Sequence, residues 1–427
     1  MTRGADERYL SEAISQAATV ADLDGVLPRT IMSVGVVGAG TMGRGIAAAF
    51  LYAGYRVKLY DKDQLTLERA VDYIKAIISR AVEKGRHTPD EAAVQESHLL
   101  SLTNVGELAE VDLCVEAAFE SMPVKKAIFV ELDEVCRPDT LIATNTSFLD
   151  VNALAQVTRR PDAVLGLHFF NPAHIMPLLE IVRGRLTSKL ALATAIDIAH
   201  RLKKTPVIAG VGEGFIANRM AAAYFNEAQL LLLQVGSPDI VDRAVVKFGF
   251  PMGPFALMDL GGLDVFVAAL RNRGGPDPVI HSVLSTLVER GRFGQKTKAG
   301  FYRYSAHDRT PSQDDDVLEL AREKAAVCGI KSTSISDHEI ALRLVMSLIP
   351  VGFEILEEGI AQRASDLDVV FVKGFGFPAD KGGPMRWAAN MGFPKVVAIL
   401  QRWQAQLGGR WRVPRTLREL AESSTAG

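Results

Sequence analysis

The sequence lacks the features that mark membrane-bound, disulfide-bonded and zinc-binding proteins. Its 427 residues include only three cysteines, Cys114, Cys136 and Cys328, which lie far apart without any Cys-x-x-Cys or Cys/His spacing. This usage suits a reducing compartment and argues against a zinc site or a disulfide framework. No apolar run reaches the roughly 20 residues that span a bilayer, and the opening stretch MTRGADERYLSEAIS has no signal-peptide core. We therefore expect a cytoplasmic protein that does not bind membranes.

An excess of charge of either sign is also missing. The formal net charge is -2, from 48 basic and 50 acidic residues, so no broad basic surface is available for nucleic acid. Hydrophobic residues make up 48% of the chain, which at this length is enough for two or three globular domains.

The clearest motif follows a short apolar strand near the N-terminus. The strand at 31–37 leads into Gly38, Gly40 and Gly43 in G-x-G-x-x-G spacing, and an Ala-rich helical stretch comes next. A second apolar strand, YRVKLYD, ends in Asp61, close to the offset of about 20 residues expected for an acidic ribose ligand. Strand, glycine turn, helix and acidic residue together predict a dinucleotide-binding Rossmann domain.

Each part of this motif has a physical role in holding NAD. Gly38 makes the tight turn, Gly40 lets the backbone approach a pyrophosphate, and Gly43 lets the helix pack on the sheet. Amides at the helix N-terminus receive the phosphates, and Asp61 favours NAD over NADP because it would repel a 2′-phosphate. The alternative is an ordinary glycine turn with Asp61 as a solvated strand end. The predicted cofactor-binding residues of this segment are Gly38, Gly40, Thr41, Met42, Gly43 and Asp61.

Polar side chains follow three further predicted strands. VDLCVEAAFE ends in Glu120, LIATNTSFLD runs into Asn145 and Ser147, and AVLGLHFF leads to His168 just past its apolar run. Ligands of open α/β sheets bind outside the carboxyl ends of the strands. We therefore expect these side chains to converge on one site.

Two titratable residues, His168 and Glu180, interrupt the apolar stretch AVLGLHFFNPAHIMPLLEIV. A buried charge is costly unless it is paired or used, and a lone histidine here would more often belong to the core. The pair favours catalysis, with His174 as a competing base. Ser147 could instead cap a helix, and Asn218 could cap or pack. A Ser–His–acid hydrolase is disfavoured because no G-x-S-x-G motif is present.

The motifs GAGTMG, VEAAFE, NTS, GLHFFNP, KTP and GFIANRM, in this order, resemble those of the L-3-hydroxyacyl-CoA dehydrogenases of fatty-acid β-oxidation. The likeness runs from about Ser33 to the C-terminus and is strongest to the dehydrogenase half of peroxisomal-type multifunctional enzymes. The hydratase/isomerase half of those enzymes has no counterpart in this sequence. The resemblance implies NAD-dependent oxidation of an L-3-hydroxyacyl-CoA substrate to the 3-ketoacyl-CoA.

The resemblance also implies residue roles. His168 resembles the base that takes the proton of the 3-hydroxyl, and Glu180 the carboxylate that hydrogen-bonds the far imidazole nitrogen. Ser147 and Asn218 resemble residues that hold the substrate oxygen and orient the histidine. Glu120 and Lys125 match family positions near the nicotinamide and its ribose. Asn145 is assigned to the cofactor site with them.

The C-terminal half contains an internal repeat. The stretch at 237–266 aligns with that at 364–397, and a long apolar helix precedes each, which predicts a duplicated all-α module. The second copy has no counterpart of Asn218, so only the first is expected to complete the site. Short members of the family dimerise through one such module. Here the second copy could cover that face, which leaves a monomer or a homodimer.

The predicted fold class is an α/β Rossmann-type dinucleotide-binding domain followed by a duplicated all-α C-terminal domain. The first residues have helical periodicity without chemistry, and could be a remnant of, or a docking arm to, a separate enoyl-CoA hydratase. Two functional alternatives stay open: a dehydrogenase of a non-CoA 3-hydroxy acid, and a non-catalytic subunit that keeps the fold. The predicted domains are an N-terminal extension (1–30), the NAD-binding domain (31–206), a first helical domain (207–304), a linker (305–332) and a second helical domain (333–427).

Overall fold

The computed structural model describes residues 3–271, 273–305 and 308–425. Residues 306 and 307 of the predicted linker, and the outermost residues of the predicted first and last domains, lie outside this part. The contacts divide the chain into two compact units. The nucleotide unit holds Arg8–Asn218 and Glu358–Gly374. The helical unit holds Arg219–Glu357 and the described parts of Met1–Glu7 and Phe375–Gly427.

The nucleotide unit is built on one eight-stranded sheet. Its strands are β1 (Ser33–Val37), β2 (Arg56–Tyr60), β3 (Leu99–Leu102), β4 (Leu113–Glu116), β5 (Leu141–Thr144), β6 (Val164–Phe169), β7 (Leu178–Arg183) and β8 (Thr205–Gly210). The strand order is β3-β2-β1-β4-β5-β6-β7-β8, and the pairs from β3 to β6 are all parallel. Strand β7 runs antiparallel to β6, and β8 is parallel to β7. The predicted Rossmann-type sheet is confirmed, with β7 and β8 running opposite to the other six strands.

Helices follow most of these strands, as a doubly wound sheet requires. These helices are α2 (Thr41–Tyr52), α3 (Gln64–Glu83), α4 (Pro89–Ser97), α5 (Met122–Val135), α6 (Val151–Ala155) and α7 (Lys189–Arg201), and one further helix, α1 (Arg3–Gln16), precedes β1. Side chains fix several helix starts: Asp63 accepts from the amide of Leu65, and Ser188 from that of Ala191. The central strands β4 and β5 are buried at every residue, as expected for a sheet covered on both faces.

The helical C-terminal region shows the predicted duplication. Its helices are α8 (Ala217–Val235), α9 (Pro238–Phe248), α10 (Pro254–Gly261), α11 (Leu263–Arg271), α12 (Ser282–Glu289), α13 (Asp315–Val327), α14 (Asp337–Met346), α15 (Leu348–Glu357), α16 (Ala364–Phe375), α17 (Pro384–Met391), α18 (Phe393–Leu407) and α19 (Arg415–Thr425). Helices α9, α10 and α11 correspond in sequence to α16, α17 and α18. The single helix α8 is matched by two shorter ones, α14 and α15, which break at Ser347.

The two copies pack against each other within the helical unit. The ring of Phe377 lies 6.0 Å from that of Phe248 and 5.3 Å from that of Phe250, between ring centroids. Arg343, only 2% exposed, donates from Nε to Glu227 Oε1 at 2.7 Å. An apolar contact and a buried ion pair therefore join the second copy to the first.

The N-terminal residues of the nucleotide unit, from Arg8 onward, pack against other parts of that unit. Leu10, Ala13 and Ala17 are buried, and the hydroxyl of Tyr9 donates to Asp368 at 2.7 Å. The helical periodicity around 9–20 is confirmed for 9–16, which lie in α1, and is wrong for 17–20, which follow the end of that helix at Gln16. Among the helices of the described residues, none combines the length and the apolar character needed to cross a bilayer.

Candidate active site

His168 and Glu180 face each other across a β-hairpin. They occupy directly opposite positions of the antiparallel strands β6 and β7, and His168 Nδ1 lies 2.7 Å from Glu180 Oε2. The histidine is 4% exposed and the glutamate is fully buried. The expectation that His168 follows a strand end is wrong, because β6 continues through it to Phe169. Its place within the strand is what puts it opposite Glu180.

The second oxygen of Glu180 is anchored by backbone amides. Oε1 accepts hydrogen bonds from Ile216 at 3.1 Å and Ala217 at 2.9 Å, where α8 begins. Unpaired amides and the helix dipole both favour a carboxylate there. The turn comes from Gly214, whose φ of 73° agrees with the turn predicted at this glycine. Glu180 is thus held from one side by α8 and can orient the imidazole on the other.

Two aromatic rings flank the imidazole. The ring centroids of Phe170 and Phe215 lie 4.6 Å and 5.8 Å from that of His168. With Nδ1 facing Glu180, Nε2 is the nitrogen that can exchange a proton with a ligand. A histidine in this setting, partnered by a fixed carboxylate and packed by aromatic rings, can serve as a general base.

Ser147 lies on a loop that Glu120 organises. Glu120 Oε1 accepts from the Thr146 hydroxyl at 2.5 Å and from the Ser147 amide at 2.8 Å. Asn218 Nδ2 approaches the carbonyl oxygen of Ser147 at 3.4 Å, so the structure brings these two predicted residues together. The capping alternative for Ser147 is wrong, because the N-cap of α6 is Asp150.

Lys125 is buried in an ionic network at the end of β4. Its ammonium lies 2.7 Å from Glu116 Oε1 and 3.3 Å from Glu120 Oε2, and the side chain is 1% exposed. Glu116, fully buried, also accepts from the Thr144 hydroxyl at 2.7 Å. Sequence reasoning missed Glu116, although a carboxylate that ends an apolar strand was a signal for it. The network couples the ends of β4 and β5 below the Ser147 loop.

Asn145 joins β5 to β6. Its side-chain Oδ1 accepts a hydrogen bond from the backbone amide of Phe169 at 2.8 Å, and its backbone amide donates to the carbonyl of Glu116 at 2.7 Å. The residue is 8% exposed. Its side-chain oxygen therefore fixes the backbone next to His168.

The glycine turn has the shape that a dinucleotide needs. Gly38 has a φ of 99°, and a Cβ at Gly43 would lie 1.7 Å from the carbonyl oxygen of Gly38. The close approach at Gly43 is thus to the turn itself rather than to the sheet. A Cβ at Gly40 would meet nothing within 4 Å, so space remains open above the turn. Asp61 Oδ2 accepts from the amide of Ala39 at 2.8 Å, which ties the acidic residue to this turn.

Thr41 and Met42 form the start of α2, whose N-cap is Gly40. Thr41 is exposed, and Met42 is half-buried against the core. The exposed first turn of this helix and the open space above Gly40 fit a phosphate group.

The competing base His174 has different surroundings. Its ring lies 6.2 Å from that of Tyr52 and 6.5 Å from that of Tyr73, between centroids. Its buried Nδ1 has no hydrogen-bond partner among the described residues, and burial lowers its pKa. His168, which has a carboxylate partner, is the better placed base.

Comparison with known proteins gives the same family over both units of the chain. The family model described as 3-hydroxyacyl-CoA dehydrogenase, NAD binding domain, matches residues 33–213, and its C-terminal domain matches residues 214–304. The peroxisomal bifunctional enzyme of Cavia porcellus is 39% identical over 88% of this chain. That match covers 54% of the relative, so the chain spans about half the length of the curated relatives it matches.

Solved structures agree. The 3-hydroxybutyryl-CoA dehydrogenase from Escherichia coli K12 is 29% identical, with a TM-score of 0.78, over 93% of this chain and 100% of its own. FadB2 of M. tuberculosis is 35% identical, with a TM-score of 0.61, over 65% of this chain and 100% of its own. The resemblance and the NAD-binding domain predicted from the sequence are thereby confirmed. The chain belongs to the 3-hydroxyacyl-CoA dehydrogenase family.

Proposed function

We propose that this chain oxidises L-3-hydroxyacyl-CoA thioesters to 3-ketoacyl-CoA in fatty-acid β-oxidation or related acyl-CoA catabolism, with His168 as the general base. The observation that carries the proposal is the buried His168–Glu180 pair, with Nδ1 and Oε2 2.7 Å apart and the second carboxylate oxygen fixed by two amides. Membership of the 3-hydroxyacyl-CoA dehydrogenase family supports the substrate class.

His168 would move the proton of the reaction. Glu180 keeps a proton on Nδ1, so the lone pair of Nε2 is free to accept the proton of the 3-hydroxyl. The same carboxylate stabilises the imidazolium that results. Ser147 and Asn218 would hold the substrate oxygen against Nε2, and Glu120 sets the loop on which Ser147 lies.

NAD, when bound, accepts the hydride that leaves C3 of the substrate. Because Gly38, Gly40 and Gly43 have no side chains, the turn they form would let the pyrophosphate approach the backbone closely. Thr41 and Met42 present the helix start that receives the phosphates, and Asp61 would accept hydrogen bonds from the adenine ribose. On the nicotinamide side we assign Glu120, Lys125 and Asn145.

At the level of the whole chain, we propose a dehydrogenase that works as a monomer, alone or beside a separate enoyl-CoA hydratase. The packing of the second helical copy on the first supports the monomer. The cytoplasmic localisation remains a prediction, since the names of the curated relatives place them in peroxisomes or glyoxysomes.

The decisive experiment is NADH oxidation by the purified protein with three acceptors: acetoacetyl-CoA, free acetoacetate and a long-chain 3-ketoacyl-CoA. Turnover that requires the thioester is expected, and the ratio of the two CoA esters would define the acyl preference. Turnover of free acetoacetate alone would replace the proposal by a non-CoA dehydrogenase. NADH binding without turnover of any acceptor would indicate a non-catalytic subunit.

His168→Gln serves as the matched control for the assay. We expect it to abolish turnover while NADH binding, followed by nicotinamide fluorescence, stays within about threefold of the original. Unchanged turnover would remove His168 as the base and leave His174 to be tested in the same way.

A further inference from the structure

Lys204 lies beside the β6–β7 hairpin, which carries His168 and Glu180, but is not a member of that pair. It is 8% exposed and immediately precedes β8, the strand next to β7. Its ammonium donates to the carbonyl oxygens of Ala173 and Met176, each at 2.7 Å. A lysine this buried is unusual, and burial lowers its pKa to about 8.

The two carbonyls belong to the connection between β6 and β7, which we term the hairpin loop (170–177). Within it, the amides of Ile175 and Met176 both donate to the carbonyl of Pro172 at 2.9 Å. The loop has no other regular structure, and its far end is tied by the amide of Thr205 to Pro177. Lys204 therefore fills the middle of the turn that separates His168 from Glu180.

The hairpin loop also rests on the helix that follows the glycine turn. A Cβ added at Gly45 of α2 would lie 3.3 Å from the Cβ of Ala173. Next to the loop, the ring of Phe169 packs 6.3 Å from that of Phe50 on α2, and the Lys204 ammonium lies 5.7 Å from the Phe169 ring. The loop is thus clamped between Lys204 and α2, with His168 one residue before Phe169.

We infer that Lys204 is a positioning residue: by binding the carbonyls of Ala173 and Met176 it fixes the hairpin loop on α2 and so sets His168 relative to the dinucleotide helix. The inference rests on the proposed function, in which His168 must meet the substrate hydroxyl while C3 faces the cofactor. A misplacement of about 1 Å at such a site can cost about 100-fold in rate. The ammonium acts on the reaction only through the loop.

The test compares Lys204→Met with Lys203→Met. Lys203 is the adjacent residue and is exposed, so the same substitution there is a matched control. We expect Lys204→Met to lower kcat with acetoacetyl-CoA by about 10- to 100-fold, with the KM for NADH changed by less than about threefold. We expect Lys203→Met to keep the original kcat. Lys204→Arg, which retains a cation with several N–H donors, should recover part of the loss.

Two readouts separate positioning from a general loss of stability. With NADH deuterated at the transferred C4 hydrogen, Lys204→Met should show a larger isotope effect on kcat, because the hydride step becomes slower. A smaller folded fraction would lower kcat without changing that effect. In the ligand-free protein, hydrogen exchange of a peptide covering 170–177 should be at least about 10-fold faster in Lys204→Met than in Lys203→Met.

An unchanged isotope effect with unchanged exchange in 170–177 would overturn the inference, whatever happens to kcat. If Lys204→Met fails to fold, Lys204→Gln, which is shorter and neutral, is judged by the same criteria. Absence of turnover in the unmodified protein would overturn the proposed function and, with it, the catalytic part of the inference. The exchange measurement would then still decide whether Lys204 holds the loop.

Discussion

Asp61 holds the glycine turn and also sets the expected choice of cofactor. Its Oδ2 accepts from the amide of Ala39 and its Oδ1 from that of Asp63. We expect Asp61→Ala to reduce the preference for NADH over NADPH by about 10-fold or more, since the loss of a charged acceptor is worth about 1.5–3 kcal/mol. The measurement is kcat/KM with each cofactor.

The neighbouring carboxylate Asp63 provides the control. It is exposed and caps α3 through the amide of Leu65. Asp63→Ala should lower helix stability and leave the cofactor ratio unchanged. Equal ratios in Asp61→Ala and the original protein would show that another residue reads the ribose.

The substitution Glu180→Gln tests the second residue of the proposed His168–Glu180 acid–base pair. Glu180→Gln keeps the shape but removes the charge that we propose stabilises the imidazolium, so we expect kcat to fall by roughly 100- to 10 000-fold. Gln can still accept from the amides of Ile216 and Ala217 through its carbonyl oxygen, so the fold should persist. Circular dichroism checks the fold, and a kcat within threefold of the original would contradict the assignment.

The identity of the polar residues was easier to predict than their partners. His168 and Glu180 stand out because charged groups in apolar runs are costly unless used, and Ser147 because it follows a predicted strand end. Asn218 was assigned only through the resemblance to the family. The buried ion pair between Lys125 and Glu116 could not be predicted, because the periodicity of α5 gives no sign that this lysine points into the protein. Burial of a long charged side chain depends on a partner from another element.

Strand direction was the main feature of the sheet that the apolar pattern left undetermined. A strand has the same pattern whether it runs parallel or antiparallel, so β7 could not be oriented from its own residues. The length of the hairpin loop (170–177) was nevertheless a usable signal. It is shorter than the roughly dozen residues that a parallel crossover needs. Glu180 faces His168 because of this reversal.

Helix α10 is held at its start by a buried carboxylate. Asp242 accepts from the amides of Phe255 and Ala256 and from the Tyr302 hydroxyl, each at 2.9 Å. Burial raises the pKa of Asp242 from 3.8 to about 7. The folded protein therefore binds this proton more tightly than the unfolded chain, and the resulting stabilisation, complete below pH 3.8, is lost as pH rises through about 7.

We expect this linkage to appear in urea unfolding between pH 6 and 7. Asp242 should make the free energy of unfolding fall with rising pH, by at most about 1.4 kcal/mol per pH unit. His174 and His281, whose pKa values burial lowers, act in the opposite direction. Asp242→Asn should remove the Asp242 part, so the difference between the two proteins isolates it.

Asp239 on the same helix α9 is the control for that measurement. Its side chain is 49% exposed and pairs with Arg243. Asp239→Asn should leave the pH slope unchanged. A slope that is the same in Asp242→Asn as in the original protein would rule out Asp242 as its source.

The helical copies lead to an expectation about the assembly of the molecule. Phe248 and Phe250 are covered by Phe377 of the second copy, and Arg343 satisfies the buried Glu227. A face that is already covered within one chain has little left to gain from a second chain. We therefore expect light scattering on the eluting protein to give a mass near 46.3 kDa at micromolar concentration.

A dimeric mass joined through the first copy would contradict this expectation. Phe248→Asp provides a second check, because it places a charge in the contact between the copies. If that contact replaces a dimer interface, the variant should lose thermal stability without any change in mass. A dimer that dissociates on this substitution would show that the first copy is the interface.

Because His168 and Glu180 are paired across β6 and β7, the coding sequence for these two strands has little tolerance for insertions or deletions. Side chains alternate across a strand, so one codon inserted inside β6 or β7 would turn every later side chain to the other face. Codons added within the hairpin loop would leave the pairing of His168 with Glu180 intact, although they would detach the loop from Lys204. Natural insertions and deletions in this family should therefore be absent from the two strands and, because Lys204 holds the loop at Ala173 and Met176, rare between these two loop residues as well.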